Sequence, residues 1–505
     1  MDFACHQIKL PYISHMLENL KKLSHGTLIY GIGHILTRSL AFLLLPLYTN
    51  VFTPEELGIV TLVLAFLAVM NLFFIYGFDS AFLRFYITEK KNDEKKIILA
   101  TCYLTVLFTS IVFSSIIYFG SNDISEMVLG EKAHANLIRL APFILSFDAL
   151  SLIPLLLLRA QNRSTLFIVI KIVAVVINLG LNVIFVLWMN LGIVGVFYAQ
   201  AISSLVLFVI TLLVVAPYFK FTYAYRWLKE MLSFGLPYLP TTFAVILMEL
   251  IDRYFLLQWR GAAEVGIYGA GYRLAMIMAL LVAGFRFAWH PFFLSVAEQE
   301  NIKKLFARVL TYFLLTCALF FLFFDFYIDN LVHVQVGGKT LFAQPFWEST
   351  SIVPLIMLAY VMFGVYAIFV AGIHITKKTK FLPFITFCGA ATNILGNWLL
   401  IPTWGMIGAA WATFISYTVM TSALYFVAQK YYPIEFEFQR IVKLVIIVLL
   451  IFMINLNLPL SLLLRFVLLC CLPVLLFLFR FWQPEELKFL RHLKALFIIR
   501  MNRSI

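Results

Sequence analysis

The sequence predicts an all-α polytopic membrane protein of about fourteen transmembrane helices, built as two parallel six-helix lobes plus a C-terminal helix pair. Three observations lead there. The 505 residues are 63% hydrophobic and only 12% charged, with a mean hydropathy of +0.96. Apolar stretches of about 20 residues, enough to cross a hydrocarbon core of about 30 Å, recur along the chain. Finally, two stretches about 215 residues apart read as copies. Asn178-x-x-x-Asn182 is followed by Gly192-Ile193-Val194-Gly195 and Ile202-Ser203. Asn393-x-x-x-Asn397 is followed by Gly405-Met406-Ile407-Gly408 and Ile415-Ser416. A second echo sets Glu55-Glu56-Leu57-Gly58-Ile59 against Ala263-Glu264-Val265-Gly266-Ile267.

Taken in order, the spans fall near 28–48, 57–78, 97–119, 137–158, 166–188, 193–216, 232–258, 265–288, 305–324, 350–374, 381–401, 406–428, 441–456 and 461–480. The thirteenth is short. Alternating apolar and polar segments of about ten residues are missing, which argues against a β-barrel. Six spans precede a polar segment and six follow it. An even number makes both halves enter the membrane in the same direction, as in parallel-repeat transporters. The expected organisation is an interfacial segment 1–27, an N-lobe 28–216, a linker 217–231, a C-lobe 232–428, an extra helix pair 429–480 and an amphipathic tail 481–505. Outer loops are short except near 120–136 and 325–348.

The formal net charge is +13. In a soluble protein this would suggest nucleic acid, but here its distribution decides otherwise. With the N-terminus cytoplasmic, loops on one side and both tails hold about 28 of the 38 Lys and Arg, and the opposite loops about three. Lys90-Lys91, Lys95-Lys96, Lys303-Lys304, Lys377-Lys378-Lys380 and the C-terminal run all fall on the same side. The excess is a topology signal, and no nucleic-acid partner is expected. The six cysteines are scattered without C-x-x-C, so neither a disulfide framework nor a metal site is expected. Met1–His25 is polar and mixed, and a cleavable signal peptide is not expected there.

The flanks look interfacial. Ile13, Leu17, Leu20 and Leu23 fall near one helical face. Pro484-Glu485-Glu486 opens a predicted helix with Leu487, Leu490, Leu493 and Phe497 on one side and Lys488, Arg491 and Lys494 on another, a cationic amphipathic helix for the inner leaflet. In span seven, Gly235, Pro237 and Pro240 predict a bend or break, because proline removes a backbone donor.

Catalysis finds little support. H-E-x-x-H and G-x-S-x-G are absent. Gly337-Gly338-Lys339-Thr340 resembles the end of a phosphate loop, but His333 stands where its first glycine is needed. No enzyme activity and no cofactor are expected; an H+ or Na+ gradient is the expected energy source.

The informative residues are charges within spans, each costing about 2.5–3.5 kcal/mol at a helix centre on insertion scales. Arg38 sits mid-span, with His34 four residues before it on the same face. Glu249, Asp252 and Arg253 occupy one half of span seven, and Glu249 and Arg253 have the spacing of a pair. Arg273 lies part-way into span eight. Arg84, Lys171 and Arg286 lie near the cytoplasmic ends, where long side chains snorkel to water. The repeated asparagines suit hydrogen bonds between helices, a scaffold role.

Gly77-x-x-x-Ala81-x-x-Arg84, Leu236-Pro237 followed by Asp252-Arg253, Gly266-Ile267-Tyr268, and Gly192-x-x-Gly195 with Gly405-x-x-Gly408 together resemble a family. It is that of the polysaccharide-biosynthesis flippases of the multidrug/oligosaccharidyl-lipid/polysaccharide superfamily, the Wzx-type O-antigen and exopolysaccharide translocases. The resemblance covers nearly the whole chain. It implies a V-shaped pair of lobes plus two helices. It also implies translocation of an undecaprenyl-pyrophosphate-linked oligosaccharide (a lipopolysaccharide or exopolysaccharide precursor) across a bacterial inner membrane, in which the charge distribution leads us to expect both termini on the cytoplasmic side. Partners would be that lipid-linked sugar, membrane lipids and a polysaccharide polymerase machinery. Related lipid II flippases carry cavity arginines on spans one, two and eight, which Arg38, Arg84 and Arg273 match by span. Expected substrate-binding residues are therefore Arg38, His34, Arg273, Arg253 and Arg84, with Glu249 and Asp252 coupling transport to an ion. Two other readings stay open: a drug or metabolite antiporter of the same fold, and a membrane polymerase or glycosyltransferase using the 325–348 loop.

Overall fold

The computed structural model of the protein describes residues 42–296, 302–458, 460–484 and 486. Among these, eleven helical segments are long and apolar enough to cross a membrane. One of them, Thr379–Tyr431, holds two predicted spans joined at Gly405, whose φ of 53° and ψ of −134° break the helix. The 17-residue apolar helix Leu462–Leu478 answers to the last predicted span. Most of predicted span one, with the interfacial segment and nearly all of the tail, lies outside the described residues.

The first described helix, α1 (Leu45–Val51), leads into α2 (Pro54–Ile75). A capping box starts α2: Glu56 N–H donates to Thr53 Oγ1 at 3.3 Å, and Thr53 N–H donates to Glu56 Oε2 at 2.9 Å. Tyr76 and Gly77, both with positive φ, end it and start α3 (Phe78–Thr88). Then come α4 (Asn92–Phe119), α5 (Ser121–Leu129), α6 (Ala135–Ala160), α7 (Ser164–Asn182), which runs into a π-turn over Val183–Trp188, and α8 (Gly192–Val215). The second half repeats the pattern with α9 (Tyr225–Gly235), α10 (Leu239–Arg260), α11 (Ala262–Ser295), α12 (Ile302–Val332), α13 (Val353–Ile375) and α14 (Leu382–Tyr431). The last two are α15 (Phe438–Asn457) and α16 (Leu462–Leu478), which pack on α12.

Four expectations are corrected here. The segment 120–136, expected as an outer loop, carries α5. The segment 217–231 is not a simple polar linker, since it contains most of α9. Trp227 and Met231 of α9 are buried, and Trp227 Nε1 donates to Glu94 at 2.7 Å. Span nine continues past 324 to Val332. The remainder of 325–348 forms a hairpin, β1 (Gln335–Val336) against β2 (Lys339–Thr340). Gly337 and Gly338 are its two-residue turn, both with positive φ, as a primed hairpin turn demands. The phosphate-loop likeness of Gly-Gly-Lys-Thr is thus turn chemistry.

Span seven is interrupted where its prolines sit, with a 3-10 turn over Leu236–Tyr238 between α9 and α10. At Gly405 the break frees the Met406 N–H, and Glu264 at the start of α11 accepts it at 2.6 Å. A partly buried acid thus caps a kink in another span. Within the first half α6 packs on α4 and α8. Within the second, α11 packs on α13 and α10 on α14. The seam between them is α2 lying along α11 and touching α10.

Candidate functional site

The seam closes through glycines. A Cβ on Gly58 of α2 would overlap the Ala262 carbonyl, and a Cβ on Gly266 of α11 would overlap the Pro54 carbonyl. Only hydrogen at both positions lets the two backbones meet. Near the end of α2, Gly77 meets Gly235 of α9 in the same way.

Between these contacts lies Arg273. It is two turns along α11 from Gly266 and 8% exposed. Its Nη2 reaches Thr61 Oγ1 of α2 at 3.5 Å, and Tyr48 lies within its electrostatic reach. Its Nη1 is buried without a hydrogen-bond partner among the described residues. The hydroxyls of Tyr272 and Tyr417 are buried in the same condition. Buried polar atoms left open in this way call for water or a ligand.

Arg253 is differently placed. Its Nη1 donates to Asp252 Oδ1 at 2.7 Å and to the Glu249 main-chain carbonyl. Asp252 also accepts the Tyr268 hydroxyl, and the guanidinium stacks 4.4 Å from the Tyr272 ring centroid. The expected Glu249–Arg253 ion pair is therefore corrected. The carboxylate on Arg253 belongs to its sequence neighbour, while residue 249 offers it a backbone oxygen. At 252 and 253 the adjacent side chains both turn inward and meet.

Glu249 instead lines a cavity of about 400 Å³ between α10, α11, α13 and α14. Arg286 lines it too, its guanidinium 4.4 Å from the Phe363 ring centroid. Arg286, an exposed residue, thus also faces this cavity. The five charges named here are three arginines (253, 273, 286) and two carboxylates (249, 252), one positive charge in excess when both acids are ionised. Arg84 is exposed, with its guanidinium 4.3 Å from the Phe234 ring centroid near the Gly77–Gly235 contact. Arg38 and His34 lie outside the described residues.

Sequence reasoning passed over one further cluster. Asp148 of α6 and Lys171 of α7 share a separate polar cavity of about 270 Å³ in the first half. A charge midway along α6 was the available signal. Among the described residues, no group of three His, Cys, Asp or Glu is placed to hold a metal.

Residues 23–297 match the family described as polysaccharide biosynthesis protein. No curated protein matches the chain by sequence. Among solved structures, the fold is similar to that of the lipid II flippase MurJ in an inward closed conformation, at TM-score 0.70 and 15% identity over 90% of this chain and 97% of that one. An inward-facing multidrug resistance MATE family transporter aligns at TM-score 0.61 and 16% identity, over 78% and 95%. The bent form of the Vibrio cholerae MATE transporter VcmN aligns at 0.57 and 15%, over 81% and 96%.

Proposed function

The chain belongs to the polysaccharide biosynthesis protein family, and from that premise we propose that it is a flippase for an oligosaccharide carried on undecaprenyl pyrophosphate. It is a multi-pass membrane protein with the fold of flippases and transporters. The proposed cargo moves from the inner to the outer leaflet of a bacterial inner membrane, where a polymerase takes it for O-antigen, capsule or exopolysaccharide. Both termini are assigned to the cytoplasm by the basic loops.

One observation carries the reading: Arg273 is buried in the seam with an open guanidinium nitrogen. A buried cation is costly unless an anion meets it. A pyrophosphate supplies two or more negative charges, and the guanidinium fork binds such oxygens bidentately. Tyr272 and Tyr417 add buried hydroxyls with open hydrogen-bonding capacity. An H+ or Na+ gradient drives the cycle, with Glu249 and Asp252 as the groups exposed to it in turn.

The decisive experiment is flipping in proteoliposomes with a fluorescent pyrophosphate-linked oligosaccharide. Transbilayer movement should be faster with the protein than in empty vesicles. A rate equal to the empty-vesicle rate, with an oriented and folded protein, overturns the proposal. The carboxylates of α10 favour a second reading, a cation-coupled drug or metabolite antiporter. Efflux of an organic cation against a proton gradient from the same vesicles would select it.

A further inference from the structure

The duplicated asparagines provide an internal comparison. In the first half Asn182 Nδ2 donates to Asn178 Oδ1 at 3.0 Å, and in the second Asn397 Nδ2 donates to Asn393 Oδ1 at 3.0 Å. That shared bond is scaffold. What surrounds it is not shared. In the second half Asn393 Nδ2 goes on to Ser416 Oγ at 3.3 Å. In the first half Asn178 Nδ2 donates to Gln200 Oε1 at 3.0 Å, and the Tyr48 hydroxyl donates to Asn182 Oδ1 at 2.7 Å. The result is a hydrogen-bonded row, Tyr48–Asn182–Asn178–Gln200, of which Tyr48, Asn182 and Asn178 are buried.

Each end of that row meets a charge. Tyr48 lies in the field of Arg273. Gln200 and Asn178 line the polar cavity that holds Asp148 and Lys171. Asp148 and Lys171 are within electrostatic reach of each other. The other polar groups on the cavity wall, from α2, α6 and α8, are the neutral side chains of Asn71, Ser151, Ser203 and Ser204. Asp148 and Lys171 are its titratable groups.

We propose that Asp148 and Lys171 form a proton-exchange site in the first half, and that the row from Gln200 to Tyr48 links its charge to anion binding at Arg273. The link to pyrophosphate rests on the flippase reading; the exchange site itself does not. Amides do not conduct protons, so the row acts by orientation. A change of charge at Asp148 repolarises Gln200, and the hydrogen bonds polarise one another along the chain. The sign follows from charge. With Asp148 ionised and Lys171 protonated the pair is neutral; a proton taken up by Asp148 leaves it at net +1. That raises the positive potential felt by an anion at Arg273, so by linkage anion binding favours proton uptake.

Two measurements on the purified full-length protein test this. The first needs no ligand. An acid-induced infrared difference spectrum, taken between about pH 8 and about pH 5, should show a protonated-carboxyl band that disappears in Asp148→Asn and shifts in Lys171→Met. A band identical in wild type and Asp148→Asn overturns the exchange site, whatever the protein carries. The second adds inorganic pyrophosphate in weakly buffered detergent and follows pH. Wild type should take up protons on binding. Asp148→Asn should bind without uptake, and Gln200→Leu should retain the carboxyl band yet lose the ligand-linked uptake. Uptake unchanged in Gln200→Leu overturns the link. A wild-type protein that shows the band but does not bind pyrophosphate counts against the flippase reading and the link, and leaves the exchange site standing.

Discussion

Gly58 and Gly266 approach each other's helices in a reciprocal way: each leaves room for the carbonyl of the residue four before the other, Ala262 and Pro54 respectively. The two glycines hold the same place in the duplicated Glu-x-Gly-Ile segments. The repeat thus becomes a pseudo-symmetric crossing of α2 and α11. Adding one methyl there forces the backbones apart, and overpacking of this kind costs about 1–3 kcal/mol. Gly58→Ala should therefore shift the protein away from this closed seam. Thr61, buried one turn beyond, reports it. A cysteine at 61 should resist a water-soluble maleimide in the parent and react several-fold faster when Gly58→Ala is added. Equal rates would mean that the seam does not open through this contact.

Arg273 gives the test of anion binding. Its alanine variant keeps the α2–α11 contact, because the glycines rather than the arginine close it. It should fold and yet bind inorganic pyrophosphate about ten- to a hundredfold more weakly, the loss expected for one charge-assisted hydrogen bond of about 1.5–3 kcal/mol. Arg273→Lys should recover only part of this, since a point charge lacks the fork. Calorimetric titration of the purified variants checks both.

Much of the fold was legible because membrane physics is one-dimensional. A span must be long, apolar and internally hydrogen-bonded, and each of those leaves a mark in the sequence. Breaks were legible where Pro237 and Pro240 removed donors. The site was legible only as a set of costly charges. Which acid meets which base depends on rotamers and on neighbouring spans, so helical spacing pointed Arg253 at Glu249 while the fold gave it Asp252. Lys171 and Arg286 were read incompletely for a related reason. Distance from the span end was used as a measure of exposure, and it could not show that Lys171 and the exposed Arg286 each also line a cavity. Asp148 was missed because its partner sits on another helix, 23 residues on in the sequence.

Arg253 and Arg273 should separate in their effects. Arg253 is the partner of a fully buried Asp252. Removing one member of such a pair strands the other and costs about 3–5 kcal/mol. Arg253→Leu should therefore lower thermal stability in detergent far more than Arg273→Ala does. Adding Asp252→Leu to Arg253→Leu should restore much of the loss. A double variant no more stable than the single one would show that Asp252 has other work in the fold, through Tyr268.

The hairpin offers a simple negative test. Lys339 is exposed, in a strand that follows the Gly337-Gly338 turn. Lys339→Ala should leave transport within about twofold of wild type, while Gly338→Val should cost about 1 kcal/mol or more through its positive φ. Transport in vesicles and thermal unfolding read the two. A collapse of transport in Lys339→Ala would revive a phosphate-binding role for this loop.

The last prediction concerns how the C-terminal helix pair is tied to the body. Arg440, at the start of α15, donates to Glu437 at 2.8 Å and to Glu486 at 2.9 Å, and its guanidinium stacks 4.6 Å from the Phe481 ring centroid. Glu486 also accepts the Tyr312 hydroxyl, and Glu437 accepts from Thr311 at 2.7 Å and from Gln483 at 2.8 Å. One guanidinium therefore joins α12, α15 and the segment after α16. The groups are partly buried, so the knot is worth more than a surface pair, and its loss should cost about 1.5–3 kcal/mol as a charged hydrogen-bond set. Arg440→Ala should free the segment 479–486 from α12. Limited proteolysis should then cut after Arg480 at least several-fold faster than in wild type, with the helices before α15 intact. Arg440→Lys should fall between the two, because it keeps one ion pair and loses the fork. Unchanged cutting in Arg440→Ala would mean that Phe481 and Trp482, packed against the core, hold the segment without the charge.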